Sequence, residues 1–247
     1  LKDAGFEILY KPKISLDELS VLLPDIDGWI IRSGTKITSD LIKNSKKLQI
    51  IGRAGVGTDN INIDCATKNG VIVMNVPDGN TVSAAEHTMA LILSLSRNIC
   101  LGHTGLMHGE WNRSNLVGNE LRNKTLGVIG LGKIGKEVIK RSLSYDMKIL
   151  GYDPYVKKDQ FSEDEVDIVE LDYLVENSDF ITLHLPINDN TRNLFNYNRI
   201  KQMKNTARII NVARGGIINE VDLARALNND IIAGAAIDVF ENEPVSQ

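Results

Sequence analysis

One stretch, Thr125 to Asp153, limits what this chain can fold into more than any other: TLGVIGLGKIGKEVIKRSLSYDMKILGYD. Thr125–Ile129 is a short apolar run, the pattern of a strand buried on both faces. Gly130-Leu131-Gly132-Lys133-Ile134-Gly135 then turns the chain. Apolar residues at Ile134, Val138, Ile139 and Leu143 mark one face of a helix that runs to Tyr145. Met147–Tyr152 is a second apolar strand, and Asp153 stands at its end. Strand, glycine turn, helix and strand together make a βαβ unit.

Each glycine has its own task in such a turn. Gly130 permits the tight bend, Gly132 lets backbone approach a pyrophosphate, and Gly135 lets the helix pack closely on the strand. The helix N-terminus offers backbone N–H groups and partial positive charge to phosphates, with Lys133 and Ile134 as its cofactor-binding candidates. Asp153 lies 18 positions after Gly135, where an adenosine ribose would arrive. Its carboxylate would accept hydrogen bonds from both ribose hydroxyls and repel a 2′-phosphate, which selects NAD over NADP. A βαβ unit that holds no phosphate is the competing reading, since glycines punctuate many loops.

The rest of the chain repeats the alternation of strand and helix. In the first part the end of a helix is expected at Leu1–Gly5, followed by a strand at Glu7–Tyr10 and a helix at Leu16–Leu23. A strand at Trp29–Arg32, a helix at Thr38–Asn44 and a strand at Leu48–Ile51 come next, and Ile61–Asn69 is a helix closed by Gly70 before the strand Val71–Asn75. After the glycine unit come helices at Leu171–Glu176, Arg199–Met203 and Glu220–Leu227, with strands at Phe180–Leu185, Ala207–Val212 and Ala233–Val239. Such alternation implies parallel, doubly wound sheets. The first unit closes near Pro77. Ser83–Arg97 is apolar almost all round, so most of its faces must be covered, either by two domains or by a second subunit. Ser162–Asp167 is acidic and reads as a solvated loop.

Arg214, between Ala213 and two glycines, and Asp238 both follow the ends of apolar strands, as Asp153 does. Open α/β sheets bind ligands at that edge. His87 within the long apolar helix reads as a core or interface histidine. His103 and His108 read as surface residues, and His184 as a structural residue near the cofactor. No cysteine or histidine has metal spacing, so no metal is expected. The net charge of −4 and the lack of a basic run exclude nucleic acid as the expected partner. No run approaches the ~20 apolar residues needed to span a bilayer. The two cysteines, Cys65 and Cys100, fit a reducing, cytoplasmic setting.

The words IRSGTK (31–36), GRAGVGTDNI (52–61), NTVSAAEHTMALIL (80–93), GEWNR (109–113), NKTLGVIGLGKIG (123–135), NVARGGIINE (211–220) and GAAIDVFENEP (234–244) occur in the order of one family. By them the chain resembles the D-isomer-specific 2-hydroxyacid dehydrogenases. The resemblance implies a flavodoxin-like substrate domain at 1–77 and a Rossmann NAD-binding domain at 78–247. It implies NAD-dependent oxidation of a D-2-hydroxy acid, here one carrying a phosphate. The alternatives are another member acting on glyoxylate, hydroxypyruvate or pyruvate, and an NAD-binding sensor or co-repressor without turnover.

In residue terms the resemblance implies Arg214 and Glu243 as catalytic groups, with Leu185, Val212, Ala213, Arg214 and Asp238 lining the cofactor. It implies the amides of Arg53, Gly55, Val56 and Gly57 on the substrate carboxylate. Arg32, Ser33 and Asn80 are the candidates for the substrate's far phosphate. Family members place a catalytic histidine a short way beyond the Glu-x-Pro word, and they begin with one more strand. The chain is therefore expected to be a fragment of a longer protein that assembles as a homodimer or higher homo-oligomer.

Overall fold

The computed structural model describes residues 1–12, 14–156, 161–162 and 165–245. The chain divides into two compact units, Leu1–Gly79 and Asn80–Gln247.

In the first unit α1 (Leu16–Leu22), β1 (Gly28–Ile31), α2 (Ser39–Asn44), β2 (Ile50–Arg53), α3 (Ile63–Lys68) and β3 (Ile72–Asn75) alternate. Each helix starts on a side chain that satisfies an orphan amide: Ser15 in a capping box with Glu18, Thr38 accepting from Leu41, and Asn62 accepting from Cys65. The three strands are parallel, in the order β1-β2-β3. Ile31 and Ile51 point into a core with Ile42 of α2 and Cys65 and Ala66 of α3. The alternate residues point to the other face of the sheet, where Ile30, Ile72 and Met74 are 67%, 61% and 55% exposed.

The expected strand at Glu7–Tyr10 does not form. Among the described residues the segment makes no backbone hydrogen bond to either edge of the sheet, and Leu9 and Tyr10 are exposed. An apolar run becomes a strand only where a ladder takes its amides and carbonyls, and local sequence cannot supply that partner.

The second unit contains α4 (Thr81–Ser96), α5 (Ile99–Met107), β4 (Thr125–Ile129), α6 (Lys133–Leu143), β5 (Lys148–Tyr152) and β6 (Asp167–Ile168). It continues with α7 (Leu171–Asn177), β7 (Phe180–Leu183), α8 (Tyr197–Ile200), β8 (Arg208–Asn211), α9 (Glu220–Asn228) and β9 (Gly234–Ile237). All six strands are parallel, in the order β6-β5-β4-β7-β8-β9. The chain winds outward from β4 first one way and then the other, so the order reverses between β4 and β7.

Side chains alternate between two cores, as the strand period of two requires. Val128, Phe180 and Ile210 meet Met89, Ile92, Val138 and Ile139 of α4 and α6 on one face. Ile129, Ile181, Leu183 and Ile209 meet Leu174, Val175, Leu223 and Ala226 of α7 and α9 on the other. The sheet is thus covered on both sides.

Two expectations shift. The strands expected at 180–185, 207–212 and 233–239 are shorter, Phe180–Leu183, Arg208–Asn211 and Gly234–Ile237, because the ladder pairing ends at those residues. The acidic segment is also not wholly a loop. Val166 is buried, Asp167 and Ile168 pair with β5 at the sheet edge, and Glu163 and Asp164 lie outside the described residues. Among the described residues no helix is long and apolar enough to cross a membrane.

Candidate functional site

At the point where strand order reverses, Gly130 leaves β4 with φ 95°, a conformation L side chains rarely adopt. A Cβ there would also stand 2.4 Å from the carbonyl oxygen of His184, which follows β7. At Gly135, in the first turn of α6, a Cβ would stand 2.1 Å from the Gly130 carbonyl oxygen. Strand, turn and helix are thereby drawn together to a distance that only glycine permits. Gly132 differs: a Cβ would meet nothing within 4 Å, so the space over the middle of the turn is open. Gly132 is also the N-cap of α6, and no side chain caps that helix. The N-terminus of an 11-residue helix beside open space fits a pyrophosphate.

Asp153, after β5, faces this turn. Its Oδ2 accepts from the Leu131 amide and its Oδ1 from the Tyr155 amide, each at 2.9 Å. A carboxylate oxygen accepts two hydrogen bonds, so each retains a lone pair for a ribose hydroxyl. The same side chain therefore fixes the glycine turn and marks the ribose position. Leu185 borders Gly130, its Cδ2 3.1 Å from where a Cβ would be. The His184 ring makes a 3.1 Å hydrogen bond between Nε2 and Thr182 Oγ1. Burial lowers its pKa to about 4, so the ring is neutral at physiological pH.

A second cluster forms on the same edge, after β8 and β9. Asn211, almost fully buried, accepts from the Ala213 amide at 3.0 Å and donates from Nδ2 to the Arg214 carbonyl at 2.9 Å. These bonds bend the chain through Val212, Ala213 and Arg214, and Arg214 Nη1 donates to the Ala213 carbonyl at 2.7 Å. A Cβ on Gly215 would lie 1.9 Å from the Phe240 carbonyl oxygen, so the Arg214 turn abuts the loop that carries Glu243. Glu243 Oε1 accepts from the Phe240 amide at 3.0 Å. Beside it Glu241 takes Arg192 as an ion-pair partner at 3.4 Å, and its amide donates to Glu220.

Asp238 donates its amide to the Asn211 carbonyl at 3.0 Å, and its Oδ1 lies 3.3 Å from His87 Nε2. Of the two readings of His87, core or interface, this overturns the first. Its side chain is 46% exposed and faces a carboxylate, because the buried face of α4 is carried by Ala85, Thr88, Met89 and Ile92. The sequence gives no signal for the pair. Asn211 carries a signal the sequence does hold, since asparagine after a strand favours a turn.

In the first unit, Arg32 and Ser33 follow β1, and Arg53 ends β2. Asn60 Nδ2 donates to the carbonyls of Arg32 and Thr35 at 3.0 and 2.6 Å, and Asn75 Nδ2 donates to that of Val56 at 2.7 Å. The Ala54 amide donates to Ile31 and the Val76 amide to Gly55. The Arg53 guanidinium folds over Gly55, where a Cβ would stand 1.5 Å from Nη1. Residues 32–33 and 53–57 thus share the carboxyl edge of the first sheet, and Val56 and Gly57 belong to this loop. Asn80, in the second unit, precedes α4 and makes no side-chain cap bond.

His103 is exposed, and His108 bonds only its own helix through the Thr104 carbonyl at 2.9 Å. No group of three or more His, Cys, Asp or Glu among the described residues is placed to hold a metal ion. An open cleft of about 490 Å³ lies at the opposite, amino edge of the second sheet, lined by Lys124, Asp179, Phe180 and Arg208. It is far from the glycine turn in sheet terms and takes no part in the site.

Comparison with known proteins bears on these observations. The family described as D-isomer specific 2-hydroxyacid dehydrogenase, NAD binding domain, matches residues 89–247. The chain is 45% identical over 245 residues to a D-3-phosphoglycerate dehydrogenase of Methanocaldococcus jannaschii, covering 99% of this chain and 47% of that protein. It is 43% identical over 244 residues to the Homo sapiens protein of the same name, covering 99% and 46%. The chain thus spans about half the length of these relatives. Among solved structures, an NAD-dependent formate dehydrogenase from Staphylococcus aureus in complex with NAD matches with TM-score 0.90 and 33% identity, over 99% of this chain and 74% of that one. A D-lactate dehydrogenase from Aquifex aeolicus complexed with NAD and lactic acid matches with TM-score 0.86 and 32% identity, over 94% and 68%.

Proposed function

The chain belongs to the D-isomer specific 2-hydroxyacid dehydrogenase family, oxidoreductases whose cofactor is NAD, and on that premise we propose that it forms the dehydrogenase half of an enzyme oxidising D-3-phosphoglycerate to 3-phosphohydroxypyruvate. The observation that carries the reading is the edge geometry of the second sheet. An open glycine turn with Asp153 bonded to it lies at the strand-order reversal, and the Arg214 and Glu243 loops abut on the same edge. The phosphoglycerate assignment is supported by the two relatives that carry that name. The first step of serine biosynthesis in the cytoplasm is the corresponding role.

When bound, NAD supplies the acceptor for the hydride that leaves the substrate α-carbon. The turn from Gly130 to Gly135 holds its pyrophosphate through backbone amides, those of Lys133 and Ile134 included, and Asp153 holds its ribose. Leu185, Val212, Ala213 and Asp238 border the remainder. Arg214 binds the substrate carboxylate and the oxygen that becomes a carbonyl, a task suited to a planar guanidinium. In the first unit the amides from Arg53 to Gly57 and the side chains of Arg32 and Ser33 are the candidates for substrate contact, and in the second unit Asn80 is a further candidate. Glu243 orients the imidazole that removes the hydroxyl proton. Among the described residues no histidine is bonded to Glu243: His87 meets Asp238 and His184 meets Thr182. In this reading the imidazole comes from beyond residue 247.

A homodimer is part of the same proposal. Ile99, Leu101, Leu106 and Met107 on α5 and Trp111 beyond it are 55–77% exposed, a concentration of apolar surface that a second copy would cover.

The test is NADH formation by the full-length protein with D-3-phosphoglycerate, D-glycerate and D-lactate in parallel. Preference for the phosphorylated acid is expected. Preference for an unphosphorylated acid would move the protein to another branch of the family, and NAD binding with no turnover on any acid would favour a sensor.

A further inference from the structure

His87 is left without a task by the dehydrogenase reading, yet it sits against one of the residues that reading uses. It projects from α4, which the buried residues Ala85, Thr88, Met89 and Ile92 hold rigidly in the second unit. Its Nε2 lies 3.3 Å from Asp238 Oδ1, with the two side chains 46% and 51% exposed. The Asp238 backbone is fixed at the end of β9 by the bond from its amide to Asn211, but that bond leaves the side-chain torsions free. Among the described residues His87 is the one side chain bonded to this carboxylate. The neighbouring Glu86 is drawn elsewhere, to Arg141 at 3.6 Å.

We infer that His87 is a positioning residue: from a rigid helix it fixes the Asp238 carboxylate in the orientation that meets the nicotinamide end of the cofactor. The inference rests on the proposed placement of Asp238 beside that end. A carboxylate already ordered before binding loses less freedom when the cofactor arrives, and removing such an anchor weakens binding by about 3- to 10-fold. The effect belongs to the nicotinamide end alone, because the ribose and pyrophosphate contacts lie at Asp153 and the glycine turn, under other strands.

The experiment measures dissociation constants of NAD and of ADP-ribose, which lacks the nicotinamide, by calorimetry on the full-length protein. The variants are His87→Leu, His87→Gln, Asp238→Asn and the double variant His87→Leu/Asp238→Asn. Thermal unfolding checks that each is folded, and an exposed position on α4 tolerates both replacements of His87. NAD affinity is expected to fall 3- to 10-fold in His87→Leu. In His87→Gln it returns to within twofold of wild type, because the glutamine amide can donate to the same oxygen. ADP-ribose affinity stays unchanged in both, and the double variant binds NAD no more weakly than Asp238→Asn. Equal loss of NAD and ADP-ribose affinity, additive losses in the double variant, or wild-type affinity in His87→Leu would each overturn the inference. An Asp238→Asn protein that binds NAD like wild type would show instead that the placement of Asp238 is wrong, and the role of His87 would fall with it.

Discussion

Replacing Asp153 by alanine separates two functions that sequence motifs merge into one. The carboxylate takes the amides of Leu131 and Tyr155 at 2.9 Å each, and Leu131 is only 1% exposed. In Asp153→Ala the Leu131 amide loses its partner where water reaches it poorly, at a cost of about 1–3 kcal/mol. For a unit of this size that corresponds to a fall in the unfolding midpoint of roughly 3–10 °C without any ligand. NAD affinity loses the ribose bonds in addition, so a drop of about 10- to 100-fold is expected. NADP escapes the repulsion but meets the same loosened turn, so the preference narrows mainly through weaker NAD binding. Asp153→Asn keeps one acceptor oxygen, can rotate it toward Leu131, and should fall between wild type and alanine in both measurements. Differential scanning fluorimetry of the free protein and fluorescence titration with each dinucleotide provide the data. An alanine variant that melts like wild type and changes its preference by gaining NADP affinity would refute the dual role and leave Asp153 acting on ribose alone.

Further expectations follow from single contacts. Gly135→Ala places a Cβ 2.1 Å from a backbone oxygen that cannot move without the strand, so NAD affinity should fall more than 10-fold and stability by about 1–3 kcal/mol, read by titration and melting. Arg214→Met should cost about 10²–10³ in kcat with the full-length protein while NAD affinity holds within a few-fold, as expected for a group acting on charge in the transition state. Burial holds His184 at about pKa 4 in the folded state against ~6.5 unfolded, so the unfolded chain binds the extra proton between those values. Stability is therefore fully present above pH 6.5 and declines as pH falls toward 4, by at most about 3 kcal/mol, and His184→Gln should flatten that part of the profile. Residues 1–247 expressed alone should bind NAD and show negligible turnover, and turnover equal to the full-length protein would place proton transfer on a histidine within this chain.

The difference between what was legible in the sequence and what was not follows the range of the forces involved. The glycine turn was legible because its constraints are steric and local: Gly130 and Gly135 each answer a backbone collision within a few residues or with the adjoining strand, and Gly132 leaves the space over the turn open. Continuous apolar runs marked the strands of the second sheet, since both of its faces are covered. Glu7–Tyr10 misled because four apolar-rich residues carry no record of whether a ladder partner exists. Val166 and Ile168 were hidden among acids, although burial of those two side chains is what ties the segment to β5.

The two ends of the site are also built by different devices, and this accounts for the uneven legibility. The phosphate end uses backbone conformation, so it demands particular residues at fixed spacing and leaves a motif. The other end also depends on a side chain that crosses between elements, His87 reaching Asp238 from a helix about 150 residues earlier in the chain. Such contacts leave no spacing rule, because the separation between partners depends on loop lengths that packing does not fix. Variation at the second end can therefore alter substrate, reaction rate and the hold on the nicotinamide while the grip on pyrophosphate and ribose stays unchanged. That independence is physically testable in the contrast already set up, since His87 variants should affect NAD and leave ADP-ribose untouched, whereas Gly135 and Asp153 variants should weaken both.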